Sequence, residues 1–412
     1  MPMKTKKVIF ICGITPYSLY GVEHNFSMSP PQYAAERFQQ AFISGLKAVL
    51  ESDILIVTAP FFGSWPINHK LSYIKKKIQD FPLKIKGISY LNFPLIKNIN
   101  KFINIRKTLN KELVENHDEY ILISYSLNVA YVASSVFCGY KNKKIKRCVI
   151  ITDLPDFPGD CNYFYKFYIS FFEKKIIKFL LKKMDFFVIL TEQMQSILDI
   201  CKNKCIVIEG IYQHREASTE QVHLYFPENS SCYFDSKKIL MYCGTVDERY
   251  GVKKLVDDFN EIHDSEIELW ICGGGASVNY IKSMCNFNSK IKYLGILSMD
   301  NILVLQKKVD LLINPRSNVG EFNKYSFPSK TMEYLASGTP TLMYRLDGIP
   351  EEYYRYCYTV NTACGETIKN AIVRVFNIPC SERKALALSA REFILTKKNA
   401  LKQVERFFEF IS

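Results

Sequence analysis

Tryptophan is scarce, with 2 in 412 residues, and the 13 cysteines include no CxxC pair of the kind that builds a zinc site. Cysteines such as those in Phe10-Ile11-Cys12, Tyr242-Cys243 and Ile271-Cys272 stand inside apolar runs and read as small core residues in a reducing compartment. No apolar run approaches the roughly 18 residues of a membrane-spanning helix. The run Val8 to Cys12 that follows the basic N-terminus is too short for the core of a signal peptide. The expected localisation is therefore cytoplasmic. Acid is in deficit: 41 Asp and Glu face 54 Lys and Arg, a net charge of +13 that favours anionic partners. Repeats and low-complexity tracts are absent, and 48% hydrophobic with 23% charged residues excludes a disordered or fibrous chain. At about 150 residues per domain, the length predicts two domains.

Short apolar runs ending in turn residues recur at Lys7 to Ile14, Asp53 to Pro60, Ile88 to Pro94, Glu119 to Ser126, Arg147 to Pro155, Asp185 to Thr191 and Lys204 to Gly210. Strands apolar on both alternating faces belong to a parallel sheet covered by helices on each side. The clearest helix lies between the first two, Pro31 to Val49, with Ala34, Phe38, Ala41, Phe42 and Leu46 on one stripe. A polar, irregular stretch at 210–236 reads as a linker. A second strand series then follows at Lys237 to Gly244, Glu266 to Gly273, Lys290 to Leu294, Val309 to Pro315 and Thr339 to Tyr344. The expected fold is α/β, with two Rossmann-like parallel-sheet domains at 1–209 and 237–380. Helices at 381–412 are expected to pack back towards the first domain.

The sharpest local signal is Ser326-Phe327-Pro328-Ser329-Lys330-Thr331-Met332-Glu333, closed by Gly338-Thr339-Pro340. Pro328 suits a helix start and Gly338 its stop, placing a helix N-terminus at the carboxyl edge of the sheet. Free N–H groups and the positive dipole end there favour a phosphate, Lys330 adds charge, and Glu333 can accept hydrogen bonds from a ribose diol. The same pattern also describes a capped, solvated surface helix. Glycine turns end two strands of the same half, at Gly244-Thr245 and at Gly273-Gly274-Gly275, and Arg249 offers a fork for phosphate oxygens. Val278 stands where a GxGxxG motif would place its third glycine, which disfavours a nicotinamide site. His69, His117, His214, His223 and His263 show no metal-ligand spacing.

The order of Gly244-Thr245, Tyr250-Gly251, Ile271 to Gly275, Tyr293-Leu294-Gly295, Asn314-Pro315-Arg316, Phe327-Pro328-Ser329-Lys330 with Glu333, and Gly338-Thr339-Pro340 resembles glycosyltransferase family 4 over residues 237–345. These are retaining GT-B enzymes, and the FPSK variant resembles those of capsule and exopolysaccharide biosynthesis. The resemblance implies two Rossmann-like domains facing a central cleft. It also implies transfer of a sugar from a UDP- or GDP-sugar to a glycan acceptor, lipid-linked, in cell-surface polysaccharide synthesis, with no metal or other cofactor. Glu333 matches the second of the family's two motif glutamates, the one that holds the donor ribose. Tyr325 occupies the place of the first, with Glu321 four residues too early. Thr245 and Tyr250 stand where the family has its phosphate-binding Arg and Lys, leaving Arg249 and Lys330 as substitutes. The resemblance extends the donor-binding set to Gly244, Thr245, Gly273, Gly274, Leu294, Arg316, Ser326, Pro328, Ser329 and Thr331.

In the first half, Asp153 follows a strand at the place where relatives carry an acidic residue facing the donor sugar, with Asp156 as its competitor and a helix cap as its plainer use. Asp153, Arg249 and Lys330 are the expected catalytic residues. Gly13, Glu23 and His24, in and after the loop that follows the first strand, are expected acceptor contacts. Basic residues interleave with aromatic ones from Lys70 to Lys111 and from Tyr163 to Lys183, as suits peripheral association with the inner face of an anionic membrane. No nucleic-acid motif accompanies that charge. The competing functions are a GT-B epimerase or phosphorylase, and a non-catalytic subunit that binds nucleotide sugar or lipid.

Overall fold

The computed structural model describes residues 6–16, 25–28, 32–50, 54–76, 84–94, 96–114, 117–139, 144–154, 163–214 and 236–412, with the side chains of 163–171 and Phe322 left aside. The chain divides into two compact units, Met1–Ile211 with Ala400–Ser412, and Tyr212–Asn399.

The first unit carries a seven-stranded parallel sheet. Its strands are β1 (Lys6–Cys12), β2 (Ile54–Thr58), β4 (Lys84–Gly87), β6 (Glu119–Tyr125), β7 (Ile145–Ile151), β8 (Phe186–Ile189) and β9 (Cys205–Val207), in the order β4-β2-β1-β6-β7-β8-β9. β1 pairs with β2 on one side and β6 on the other, so the strand order reverses at the β1/β6 boundary, where doubly wound sheets open a ligand crevice. Val8, Phe10 and Cys12 face one core while Ile9 and Ile11 face the other. Helix α1 (Tyr33–Val49) covers the first face, and α2 (Ile96–Glu112) with α3 (Val129–Phe137) the second.

One expectation is corrected here. The apolar segment 88–94 does not join the main sheet; the more polar Lys84–Gly87 does, at its edge, with Lys84 and Lys86 exposed. Tyr90–Leu91 (β5) pairs antiparallel with Tyr73–Ile74 (β3) in a separate two-stranded sheet. α4 (Tyr163–Leu181) and the short α5 (Met194–Leu198) complete this unit's first stretch of chain.

The second unit repeats the plan. Its strands are β10 (Lys238–Cys243), β11 (Ile267–Cys272), β12 (Ile291–Gly295), β13 (Leu311–Asn314), β14 (Thr341–Met343) and β15 (Tyr358–Thr359), all parallel, in the order β12-β11-β10-β13-β14-β15. Its helices are α6 (Val252–Asn260), α7 (Val278–Phe287), α8 (Met299–Lys308), α9 (Ser329–Ser337), α10 (Ile368–Asn377) and α11 (Cys380–Lys397). The strand order reverses between β10 and β13, and the loop before α9 follows β13.

The C-terminal helices part company. α11 stays with the second unit, burying Ala390, Phe393 and Ile394 in its core. The last helix, α12 (Ala400–Ile411), belongs to the first, with Val404, Phe407 and Ile411 beneath α1. Gly45 on α1 permits that crossing, since a Cβ there would stand 2.3 Å from the Ala400 carbonyl oxygen. The connection at 215–235 lies outside the described residues. No helix among the described residues is long and apolar enough to cross a membrane.

Candidate functional site

Strand β10 ends at Cys243, and the chain turns at Gly244. The neighbouring β11 ends at Cys272 and turns at Gly273, whose φ of +128° suits glycine alone. The two turns run against each other: Gly244 N–H donates to Cys272 O at 2.9 Å, and Val246 N–H to Gly274 O at 2.9 Å. A Cβ on Gly273 would stand 1.8 Å from the Gly244 carbonyl oxygen, so this glycine is required by backbone packing. The pair makes a smooth floor at the carboxyl edge of the sheet.

Helix α9 is fixed over that floor by one side chain. The fully buried Tyr334 hydroxyl accepts from Cys243 N–H at 2.9 Å and donates to Cys243 O at 3.0 Å. Lys330 lies four residues earlier and so shares that helix face. Its side chain arches over Gly244, where a Cβ would fall 1.6 Å from the ammonium nitrogen. The ammonium stands 5.2 Å from the Tyr242 ring centroid and 5.9 Å from that of Tyr250. Burial pulls Lys330 below the usual lysine range, against the opposing pull of Glu333.

Arg316, just after β13, supplies a second cation. Its Nη2 donates to Ser326 Oγ at 2.8 Å, its Nε donates to Asn323 Oδ1, and its guanidinium lies 5.7 Å from the Tyr250 ring. Burial lowers its pKa too. Asn323 is wholly buried and also donates to Ser317 O at 3.0 Å and Val319 O at 2.6 Å, fixing the 317–326 loop. Tyr250 is thus shared by two desolvated cations, an arrangement that favours an anion beside them.

The helix start completes the setting. Pro328 is the N-cap and offers no side-chain hydrogen bond, while the buried Thr331 hydroxyl has no hydrogen-bond partner among the described residues. Ser329 is exposed in the first turn and Glu333 is half-buried one turn further on. Glu333 is close enough to Tyr212 to add to the rise that burial imposes on that phenol. Gly338 closes the helix in the left-handed conformation, φ +79°. Amides at a helix N-terminus, two cations and a carboxylate a turn away can together hold a diphosphate and a diol.

Other expected residues stand differently. Arg249 is spent on Asp247: its Nε and Nη2 donate to the two carboxylate oxygens at 3.1 and 3.2 Å, and Asp247 also caps the turn by accepting from Arg249 N–H. That pairing holds the Asp247 carboxyl below its ordinary range. Arg316 is the arginine gathered with Lys330. Thr245 is exposed and its carbonyl accepts from the Tyr242 hydroxyl at 2.8 Å. Gly274 lies against Ile296, and Leu294 packs on the core that covers one face of β10, β11 and β13. The segment with Tyr325 in place of the first glutamate is a 3-10 turn, Glu321–Tyr325, with Asn323 at its centre.

In the first unit, Gly13 N–H donates to Gln39 Oε1 at 2.7 Å, and a Cβ at this position would stand 2.1 Å from the Phe61 ring. Asp153 accepts from the Thr152 hydroxyl at 3.2 Å, and desolvation raises its pKa. The buried Tyr125 hydroxyl at the end of β6 lies beside the Thr152 side chain, and Ser126 next to it takes a φ of +64°. Strain at a sheet's carboxyl edge is a recurring mark of a functional site. Glu23, His24 and Asp156 lie outside the described residues. Among the described residues no His, Cys, Asp and Glu gather as a metal site. An open cavity of about 700 Å³ lined by Glu261, His263, Lys369 and Arg374 lies at the amino edge of β11, opposite the Lys330 end.

No curated protein matches the sequence. Solved structures match along its length. The Anabaena protein HepE in complex with UDP is 11% identical, with a TM-score of 0.62 over 98% of this chain and 99% of its own. Sucrose-phosphate synthase from Thermosynechococcus elongatus is 14% identical, with a TM-score of 0.60 over 98% and 99%. An E. coli structure described as trehalose-6-phosphate bound with UDP-2-fluoro glucose is 10% identical, with a TM-score of 0.62 over 98% of each chain. At such identities the likeness carries the fold, which is GT-B, built of two Rossmann-like domains. Residues 237–377, which hold Lys330, Arg316 and Glu333, match the model of the family Glycosyl transferases group 1, and the chain thus carries a glycosyltransferase group 1 domain.

Proposed function

We propose that the protein is a retaining glycosyltransferase that moves a sugar from a UDP- or GDP-sugar to a lipid-linked glycan in cell-surface polysaccharide synthesis. The observation that carries this reading is the Lys330 ammonium, held over Gly244 at the open start of α9 with Arg316 beside the same tyrosine. HepE with UDP and the E. coli structure with UDP-2-fluoro glucose are nucleotide complexes on the same fold, which supports the donor class.

In this reading the diphosphate lies on the amides of α9, with Ser329 and Thr331 as hydroxyl donors and the Gly244 and Gly273 turns as floor. Glu333 accepts from the ribose diol. As the bond from the anomeric carbon to the diphosphate oxygen breaks, Lys330 and Arg316 take up the negative charge that develops there. The charge of the leaving group is assigned to these side chains and to the helix dipole, with no divalent metal. The acceptor hydroxyl attacks from the face the diphosphate leaves, passes its proton to the leaving oxygen, and retention follows. Asp153 is assigned to steady positive character at the anomeric carbon, Arg249 to the outer donor site, and Gly13, Glu23 and His24 to the acceptor. An acceptor carried on lipid places the enzyme at an anionic membrane.

Release of nucleoside diphosphate from a panel of UDP- and GDP-sugars tests this. The reading expects slow hydrolysis of one donor without acceptor, abolished in Glu333→Ala. Turnover of none of them, or turnover unchanged in Glu333→Ala, would overturn it.

A further inference from the structure

At the carboxyl edge of the first unit's sheet, the loop that follows β2 is held by its carbonyls. Ala59 O accepts from the Lys101 ammonium at 3.2 Å and from the Tyr131 hydroxyl. Pro60 O accepts from Lys101 at 2.6 Å and from the Tyr90 hydroxyl at 2.9 Å. Lys97 donates to Phe62 O at 3.0 Å, and the Asn92 amide to Gly63 O at 2.9 Å. Lys101 is fully buried, its ammonium 4.2 Å from the Tyr90 ring centroid, and burial pulls it well below the usual lysine range. A desolvated ammonium costs stability, and such groups gather where geometry serves a ligand.

The side chain this loop presents is Phe61. Its ring lies over Gly13 at the end of β1, where a Cβ would stand 2.1 Å from it, and its centroid is 5.4 Å from that of Tyr131 and 6.2 Å from that of Tyr125. The sequence made Gly13 itself an acceptor contact, but its N–H goes to Gln39 and the ring covers its Cα. The missing Cβ admits Phe61, which stays half-buried while Phe62 beside it is buried.

The surroundings define the kind of ligand. The ring stands at the end of β1, between β2 and β6, where the strand order reverses. Its neighbour Tyr125 lies beside Thr152 and Asp153. An aromatic face with a carboxylate close by suits a pyranose, whose axial C–H bonds form one apolar face while its hydroxyls donate at the rim. Lys97 and Lys101 are turned to the loop carbonyls and offer no counter-charge to a phosphate or carboxylate ligand.

We infer that Phe61 is a specificity-determining residue, the platform on which a neutral acceptor sugar stacks. The inference deepens the glycosyl-transfer reading and rests on it for calling that sugar the acceptor.

Saturation-transfer NMR of the full-length protein tests it, with the methyl glycosides of glucose, galactose and N-acetylglucosamine and with glucose 6-phosphate as probes. At least one neutral glycoside is expected to bind, with saturation strongest on the C–H protons of one ring face. Phe61→Leu keeps an apolar side chain over Gly13 and loses the flat ring, so it is expected to weaken binding about tenfold, whereas Phe61→Tyr stays within about threefold of wild type. Thermal midpoints of the same preparations show that both variants are folded. Wild-type protein that binds a neutral glycoside on one face but no nucleotide would count against the donor site and leave the platform standing. Binding of glucose 6-phosphate alone, of none of the probes, or of a neutral glycoside equally by wild type and Phe61→Leu would overturn it.

Discussion

The hydroxyl of Tyr334 satisfies both backbone groups of Cys243, accepting from its N–H at 2.9 Å and donating to its carbonyl at 3.0 Å. A helix face is thereby locked to the end of a strand, and Lys330, one turn earlier on that face, is delivered over Gly244. Tyr334→Phe leaves a buried N–H and C=O unpaired, at a cost of about 1–3 kcal/mol. The expected result is a lower thermal midpoint and weaker nucleotide binding together. A midpoint equal to wild type would show that the hydroxyl does not fix the helix.

The two glycine turns separate folding from binding. A Cβ at Gly244 meets the far end of the flexible Lys330 side chain, whereas one at Gly273 meets the Gly244 backbone. Gly244→Ala should therefore fold, with a modest loss of stability from its positive φ, and bind nucleotide at least tenfold more weakly as Lys330 is pushed aside. Gly273→Ala should lose several degrees of thermal midpoint or fail to accumulate. Calorimetry and thermal unfolding of the pair check the contrast.

Titration of Lys330 gives a pH dependence with a defined sign. Its pKa in the folded protein lies below the usual lysine value because of burial, with Glu333 opposing and Arg316 adding to the fall. Diphosphate needs the ammonium, so affinity should fall as pH rises through this depressed pKa, before an ordinary lysine would lose its proton. Binding in that window should take up a proton, seen as a buffer-dependent heat. Lys330→Arg should flatten the fall. Lys330→Met should remove nucleotide binding without loss of apoprotein stability, because it deletes a desolvated charge.

Asn323 anchors Arg316 and the two carbonyls of its loop from a fully buried position. Asn323→Ala should cost about 2 kcal/mol of stability or more. It should also weaken nucleotide binding while leaving the Lys330 pH profile in place. An affinity equal to wild type would show that Arg316 keeps its place without it.

The sequence disclosed the strands whose surroundings are uniform. β1, β6 and β10 are apolar on both faces because helices cover both faces, and their runs are readable for that reason. The edge strand Lys84–Gly87 was hidden by its own exposure, while the apolar residues just after it went to a separate pair of short strands. Helix α9 was legible from Pro328 and Gly338, which act locally. Asn323 and Tyr334 were not, since their partners Arg316 and Cys243 lie 7 and 91 residues away. Arg249 was legible as a cation on the turn after β10, whereas the closing of Asp247, two residues earlier, on its fork was not.

The most direct measurement is calorimetric titration of UDP, GDP, ADP and CMP into the wild-type protein, Lys330→Ala and Glu333→Ala. The account predicts that one nucleoside diphosphate binds the wild type and that both variants lose it, Lys330→Ala through the diphosphate and Glu333→Ala through the ribose. Folded wild-type protein that binds none of the four, or Lys330→Ala that binds as the wild type does, would contradict the placement of a donor at the start of the helix Ser329–Ser337.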